Sequence, residues 1–140
     1  MKLREILHHK GSDVLSASPS DTLGDAVLSL VKNNCGALMV MEDDRAVGII
    51  TERDVLRACA ELPQPLAASV RDHMTTELIT ATPDDHVEHV MGLMTNHRIR
   101  HLPIMEAGKL VGIISIGDVV KSQHDELSNE NRYLKQYIQG

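Results

Sequence analysis

Gly48-Ile49-Ile50-Thr51-Glu52-Arg53-Asp54 returns later in the chain as Gly112-Ile113-Ile114-Ser115-Ile116-Gly117-Asp118, at an offset of 64 residues (118 − 54). The same offset joins Pro19 to Pro83, Asp21 to Asp85, Leu38 to Leu102 and Glu42 to Glu106, so one unit is present twice. In each copy a strand-like apolar run ends in a small hydroxyl residue, with an acid three residues on. That spacing resembles a capping box and places the motif where a strand stops and a helix starts.

Outward from the motif, Asp13 to Ser18 reads as a strand. Ser20 or Asp21 can cap a helix whose apolar Leu23, Ala26, Val27, Leu30 and Val31 recur at three-and-four spacing. Asn33-Asn34-Cys35-Gly36 breaks that helix. Ala37 to Met41 and Ala46 to Ile50 are strands around the turn Glu42-Asp43-Asp44-Arg45, and Thr51 starts a helix that runs to about Glu61. The second copy repeats the order. Leu78 to Thr80 is a strand, Pro83-Asp84-Asp85 opens a helix carrying Val87, Val90, Met91 and Met94, and His101 to Met105 and Leu110 to Ile114 flank an Ala107-Gly108 turn before the helix at Ser115. Each unit is β-α-β-β-α, an α/β (α+β) class. Residues 1–62 and 70–123 are expected to be the repeats, with the Pro-rich 63–69 as linker and 124–140 as a helical extension. Leu127, Asn131, Leu134 and Ile138 give that extension a narrow apolar seam, suited either to its own domain or to a dimer.

With 140 residues the chain holds one domain's worth of core. A repeat of about 60 residues alone would bury too small a share of its surface, so the copies are expected to pack as one unit. Trp and Phe are absent and the aromatics are Tyr133 and Tyr137, so the core must be aliphatic. A net charge of −6 with no Lys/Arg run disfavours a nucleic-acid backbone as main partner, and so few aromatics leave almost no platform for base stacking. No apolar run approaches the roughly 18 residues that span a bilayer, and Met1-Lys2-Leu3-Arg4-Glu5 leads into no signal-peptide core. The expectation is a cytoplasmic protein with no membrane partner. Cys35 and Cys59 form no C-x-x-C pair and fall at non-equivalent points of the repeat, which predicts buried, inert thiols.

A helix start presents unpaired backbone amides that favour phosphate. There Thr51 or Ser115 can cap the helix or bond a ligand. Asp54 or Asp118, one turn on, can accept two hydrogen bonds from vicinal hydroxyls such as those of a ribose. A cap plus an acid that favours the helix dipole would explain either copy alone; recurrence of both residue types at one offset favours the ligand. A second constellation, Asn96-His97-Arg98-Ile99-Arg100-His101-Leu102-Pro103-Ile104, crowds two arginines and two histidines where the first copy, Lys32 to Val40, has one cation. An anionic ligand's phosphate is therefore expected nearer this later turn, where an Arg fork matches phosphate oxygens.

The paired G-x-x-[ST]-x-x-D segments, the Arg100-His101-Leu102-Pro103 turn and Val70-Arg71-Asp72-His73-Met74-Thr75 together resemble tandem cystathionine-beta-synthase (CBS) domains, a Bateman module, from about Met1 to about Gln123. The resemblance implies two repeats related by a pseudo-twofold axis. It also implies clefts that bind adenosine-containing ligands such as AMP, ATP, NADH or S-adenosylmethionine, and a homodimer that signals to an effector protein. By position it implies one cleft of Thr51, Arg53, Asp54, Leu78, Ile79, Ile99, Arg100, His101 and Pro103. The other would join Val14, Leu15, Cys35, Gly36, Ala37, Ser115, Gly117 and Asp118. The first copy has Gly36-Ala37-Leu38-Met39 where the second has Arg100-His101-Leu102-Pro103, so the Asp54 cleft is expected to be the principal one.

Catalysis finds little support: the G-x-S-x-G, P-loop and H-E-x-x-H patterns are all missing. His86 and His89, one helical turn apart, raise a metal site as an alternative, but the first copy has Thr22 and Asp25 there, which reads as polar surface. An interaction protein acting through its last helix is the remaining alternative.

Overall fold

The capping box forms in both motifs and sets the chain turning at the same point of each repeat. Thr51 accepts from the Asp54 amide at 3.3 Å while its own amide donates to Asp54 Oδ2 at 2.9 Å. Ser115 and Asp118 make the same pair of bonds at 3.1 and 2.9 Å. The computed structural model describes residues 1–11 and 13–139; Ser12, within the first repeat, and Gly140, at the end of the extension, lie outside the described residues.

In chain order the elements are α1 (Leu3–Lys10), β1 (Ser16–Ala17), α2 (Leu23–Lys32), β2 (Ala37–Glu42), β3 (Arg45–Thr51), α3 (Glu52–Glu61), a 3₁₀ turn at Pro65–Ala67, α4 (Val70–His73), α5 (Val87–His97), β4 (His101–Glu106), β5 (Lys109–Ser115) and α6 (Ile116–Gln139). β2 and β3 pair antiparallel, as do β4 and β5. The β2–β3 turn places Asp43 and Asp44 at φ 50° and 62°, and the β4–β5 turn places Ala107 and Gly108 at 51° and 77°. Positive φ at both central residues is what a two-residue type I′ hairpin requires.

Several local expectations are corrected. The first strand shrinks from residues 13–18 to Ser16–Ala17, parallel to β2. Its counterpart at Leu78 to Thr80 is not a strand: a single parallel bridge, Ala81 to Ile104, stands in its place. Helix α2 is capped by Thr22, boxed with Asp25, and not by Ser20 or Asp21, because Asp21 Oδ2 is occupied by the Ser18 amide at 2.9 Å. Asp85 is likewise drawn back to the Thr82 amide at 2.9 Å, so α5 starts only at Val87. Val31 is exposed and lies off the buried stripe of α2. Cys35 is half-buried and Cys59 exposed, so neither is the buried thiol expected.

Helix α1 was not among the expected elements, and it is part of the architecture. Although it lies at the start of the first repeat, its Leu3 and Ile6 are buried with Val87, Val90, Leu102 and Ile114 of the second. Helix α4 does the reverse: Val70 is buried with Leu23, Leu38 and Ile50 of the first. The crossings match bond for bond. Leu3 and Arg4 donate to Asp85 and Pro83 at 3.0 and 2.8 Å; Val70 and Arg71 donate to Asp21 and Pro19 at 2.8 and 3.0 Å. The helices repeat at 67 residues (70 − 3) against 64 for the strands, and the bonds give the two halves their pseudo-twofold relation.

Side-chain alternation along the strands separates the cores from the seam between them. Leu38, Val40 and Ile50 face the first repeat's helices. Ala37, Met39 and Ile49 face the other way and meet Leu78, Leu110 and Ile113 across the repeat boundary.

Candidate functional site

The two motif acids have different surroundings. Asp54 is 7% exposed. Its Oδ2 accepts from the Thr51 amide and hydroxyl at 2.9 and 3.1 Å, and its Oδ1 from the Thr75 hydroxyl at 3.3 Å, so both carboxylate oxygens face inward to protein donors. Arg53 reaches the Arg98 carbonyl at 3.4 Å, and Arg98 itself sits at the left-handed end of α5. Of the other residues named with Asp54, Leu78 packs in the seam, Ile79 and Ile99 pack against the second repeat's core, and Arg100 is exposed. Pro103 is buried, with its carbonyl accepting from the Ala81 amide at 3.1 Å.

Asp118 is more open, its side chain 25% exposed. Oδ2 accepts from the Ser115 amide at 2.9 Å and from the Lys10 ammonium at 2.6 Å, and Lys10 also donates to the Ile113 carbonyl at 2.7 Å. Burial by itself raises the Asp118 pKa, but the bond from Lys10 and then that from the Ser115 amide outweigh it and hold the carboxyl below its ordinary value. Both motif acids are thus engaged from a crossing helix, by the neutral Thr75 just beyond α4 and by the charged Lys10 at the end of α1.

A cavity of about 360 Å³ lies at this second motif, walled by both repeats. Val14, Leu15, Cys35, Gly36 and Ala37 line it from the first, and His101, Ile113 and Ser115 from the second, with Lys10, Asp13 and Asn34 at its polar edge. Six of the eight residues named for the Asp118 cleft meet here. Asp118 instead lines an adjoining open groove between α1 and α6, and Lys10 lines both spaces. Gly117 is exposed on the first turn of α6. His101, grouped by sequence with Asp54, opens onto this cavity, because the start of β4 lies across the seam from Gly36. Lys10, Asp13, Asn34 and Ile113 were not named from sequence. For Lys10 the signal was present, as Leu3, Ile6 and Leu7 at helical spacing followed by Gly11 mark a helix that ends at Lys10.

At Gly36 the lack of a side chain lets Glu52 and His101 approach the backbone closely. A Cβ there would run into the Glu52 carboxylate and stand 3.0 Å from His101 Cε1. Burial lowers the His101 pKa below the ordinary 6.5, with Glu52 opposing that shift, Lys10 adding to it, Asp118 opposing and Arg100 adding. The unfolded chain therefore takes up a proton at higher pH than the folded one. His101 contributes stability above pH 6.5 that is lost as pH falls toward its folded-state pKa. Thermal midpoints of the wild type and of His101→Gln, measured between about pH 5 and 8, should show a smaller acid-side decline in the variant; parallel curves would contradict this burial effect.

Among the described residues no group of three or more His, Cys, Asp or Glu side chains is placed to hold a metal ion, and His86 and His89 are both exposed. No helix among them is long and apolar enough to cross a membrane.

Comparison with known proteins accounts for the doubled motif. The CBS domain model matches residues 3–61 and 70–125. The mitochondrial CBS domain-containing protein CBSX3 of Arabidopsis thaliana is 39% identical, over 99% of this chain and 72% of its own length. A CBS-domain containing protein of Agrobacterium tumefaciens superposes with a TM-score of 0.86 at 37% identity, covering 88% of this chain and 99% of that one. The CBS domain pair of protein MJ0100, solved in complex with 5′-methylthioadenosine and S-adenosyl-L-methionine, superposes at 0.80 with 25% identity, covering 90% and 98%.

Proposed function

This chain belongs to the CBS-domain family, and from that premise we propose that it is a regulatory module, not an enzyme, that binds an adenosine-containing nucleotide between its repeats and signals to a partner protein. The observation that carries the reading is the cavity between Gly36 and Ser115, with apolar walls for a base and polar groups at one edge. Its volume lies within the roughly 300–1,000 Å³ typical of ligand sites. The 5′-methylthioadenosine and S-adenosyl-L-methionine of the MJ0100 pair support an adenosine-containing ligand. The preference drawn from sequence is reversed: the Asp118 cleft is proposed as the principal site, since the Asp54 carboxylate is already enclosed by Thr51 and Thr75.

A ligand held by both repeats favours the arrangement in which they close on it, and a partner reads that shift only through different affinity for the two arrangements. We read the protein as a homodimer. Val120, Leu127, Leu134 and Ile138 are exposed along α6, which is about 36 Å long. This seam also favours the second reading, an interaction protein with no physiological nucleotide. A cytoplasmic location agrees with the free Cys35 and Cys59.

The test is thermal unfolding of the wild type and of Asp118→Asn with AMP, ADP, ATP, NADH, S-adenosylmethionine and GTP. Ligand at a hundred times its Kd adds about 2.7 kcal/mol, a rise of roughly 5–10 °C at this size. A rise with an adenine ligand, absent with GTP and reduced in Asp118→Asn, is expected. No rise in folded protein free of co-purified nucleotide would leave the interaction reading in its place.

A further inference from the structure

We propose that Lys10 is a built-in counter-ion that a ligand's phosphate draws away from Asp118, so that the cleft selects phosphorylated adenosine ligands over uncharged ones. This rests on the nucleotide reading and adds to it the residue that sets ligand class.

The placement of Lys10 is determined by the fold. Helix α1 stops there, at Gly11 with φ 92°, whose amide donates to the Leu7 carbonyl at 2.8 Å. From that helix end the ammonium holds Asp118 Oδ2 at 2.6 Å and the Ile113 carbonyl at 2.7 Å. It stands between the cavity and the acid, since Lys10 lines the cavity and the groove while Asp118 lines only the groove.

A ribose whose two hydroxyls use both Asp118 oxygens must take the place of the ammonium at Oδ2, which already accepts from Lys10 and from the Ser115 amide. For an uncharged nucleoside that exchange gives up a charge-assisted hydrogen bond for neutral ones, which are weaker, and leaves Lys10 without its anion. A nucleotide supplies a new anion. Lysine suits the exchange because its charge is compact and its stem flexible. Among the described residues the first repeat shows no such device: Asp54 accepts from the neutral Thr51 and Thr75 groups, with no cation to release.

The experiment compares Kd values of AMP and ATP with those of adenosine and methylthioadenosine, by calorimetry, in the wild type, Lys10→Met and Lys10→Arg. Methionine keeps the length of the stem and removes the charge; arginine keeps the charge. Unliganded melting curves establish that each variant is folded. In Lys10→Met the preference for AMP over adenosine should fall about tenfold or more, the size of one charge-assisted hydrogen bond, with adenosine binding unchanged or tighter. Lys10→Arg should retain a preference for AMP. If both ligand classes weaken or tighten together in Lys10→Met, Lys10 is not the selector and the proposal fails. If no adenosine ligand binds folded wild type or variant, the nucleotide reading itself fails, an outcome distinct from loss of selectivity alone.

Discussion

Leu3→Ala should cost about 2–5 kcal/mol, the usual range for truncating a fully buried leucine, although it lies two residues from the start of the chain. A surface position there would be expected to change stability by no more than about 0.5 kcal/mol. The expectation comes from the crossing of α1: Leu3 is 0% exposed and packs with Val87, Leu102 and Ile114, more than eighty residues away in sequence. Its loss leaves a cavity in the second repeat's core that the aliphatic neighbours fill only in part. Folded domains hold roughly 5–15 kcal/mol in all, so the variant should unfold at clearly lower urea with an unchanged slope. A midpoint equal to that of the wild type would mean that α1 does not belong to that core.

Gly36→Val should reduce affinity for an adenine nucleotide by a hundredfold or more, about 2.7 kcal/mol, while leaving the fold intact. Gly36 precedes β2 and carries no positive φ, so valine meets no backbone strain there. Its side chain would push aside the Glu52 carboxylate and press on the His101 ring, which lines the cavity with Gly36. Glu52 is exposed and its carboxylate is the free end of a flexible chain, so it can move aside at little cost to stability. Calorimetric titration of the variant and the wild type with AMP reads the effect. Wild-type affinity in a folded Gly36→Val protein would place the ligand elsewhere and remove the cavity from the argument.

Elements with a local cause were legible. The motif doublet located both strand-to-helix junctions, because a capping box is made by residues three apart and needs nothing from the rest of the fold. The hairpins at Asp43-Asp44 and Ala107-Gly108 were legible for the same reason. The cap of α2 was misplaced by one or two residues because Ser20, Asp21 and Thr22 can all cap, and only the Ser18 amide bonding to Asp21 removes one of them from the competition. The strand expected at Leu78 to Thr80 failed because strand pairing is a property of two segments, and here the partner offers a bridge only at Ile104.

The sequence alone determined that this protein is a duplicated unit of the CBS type with a hairpin running into a helix in each copy, and which residue types stand at those two helix starts, since repeats, periodicity and caps are short-range regularities. Which acid is open was decided by tertiary structure. Thr75 comes from 21 residues beyond Asp54, and Lys10 from 108 residues before Asp118. Asp54 and Asp118 are the same residue in equivalent motifs, and they differ because the pseudo-twofold crossing brings a hydroxyl to one and an ammonium to the other. The wall from Val14 to Ala37 meets His101 and Ser115 only when the repeats pack, because a cavity exists between surfaces and is encoded by neither alone.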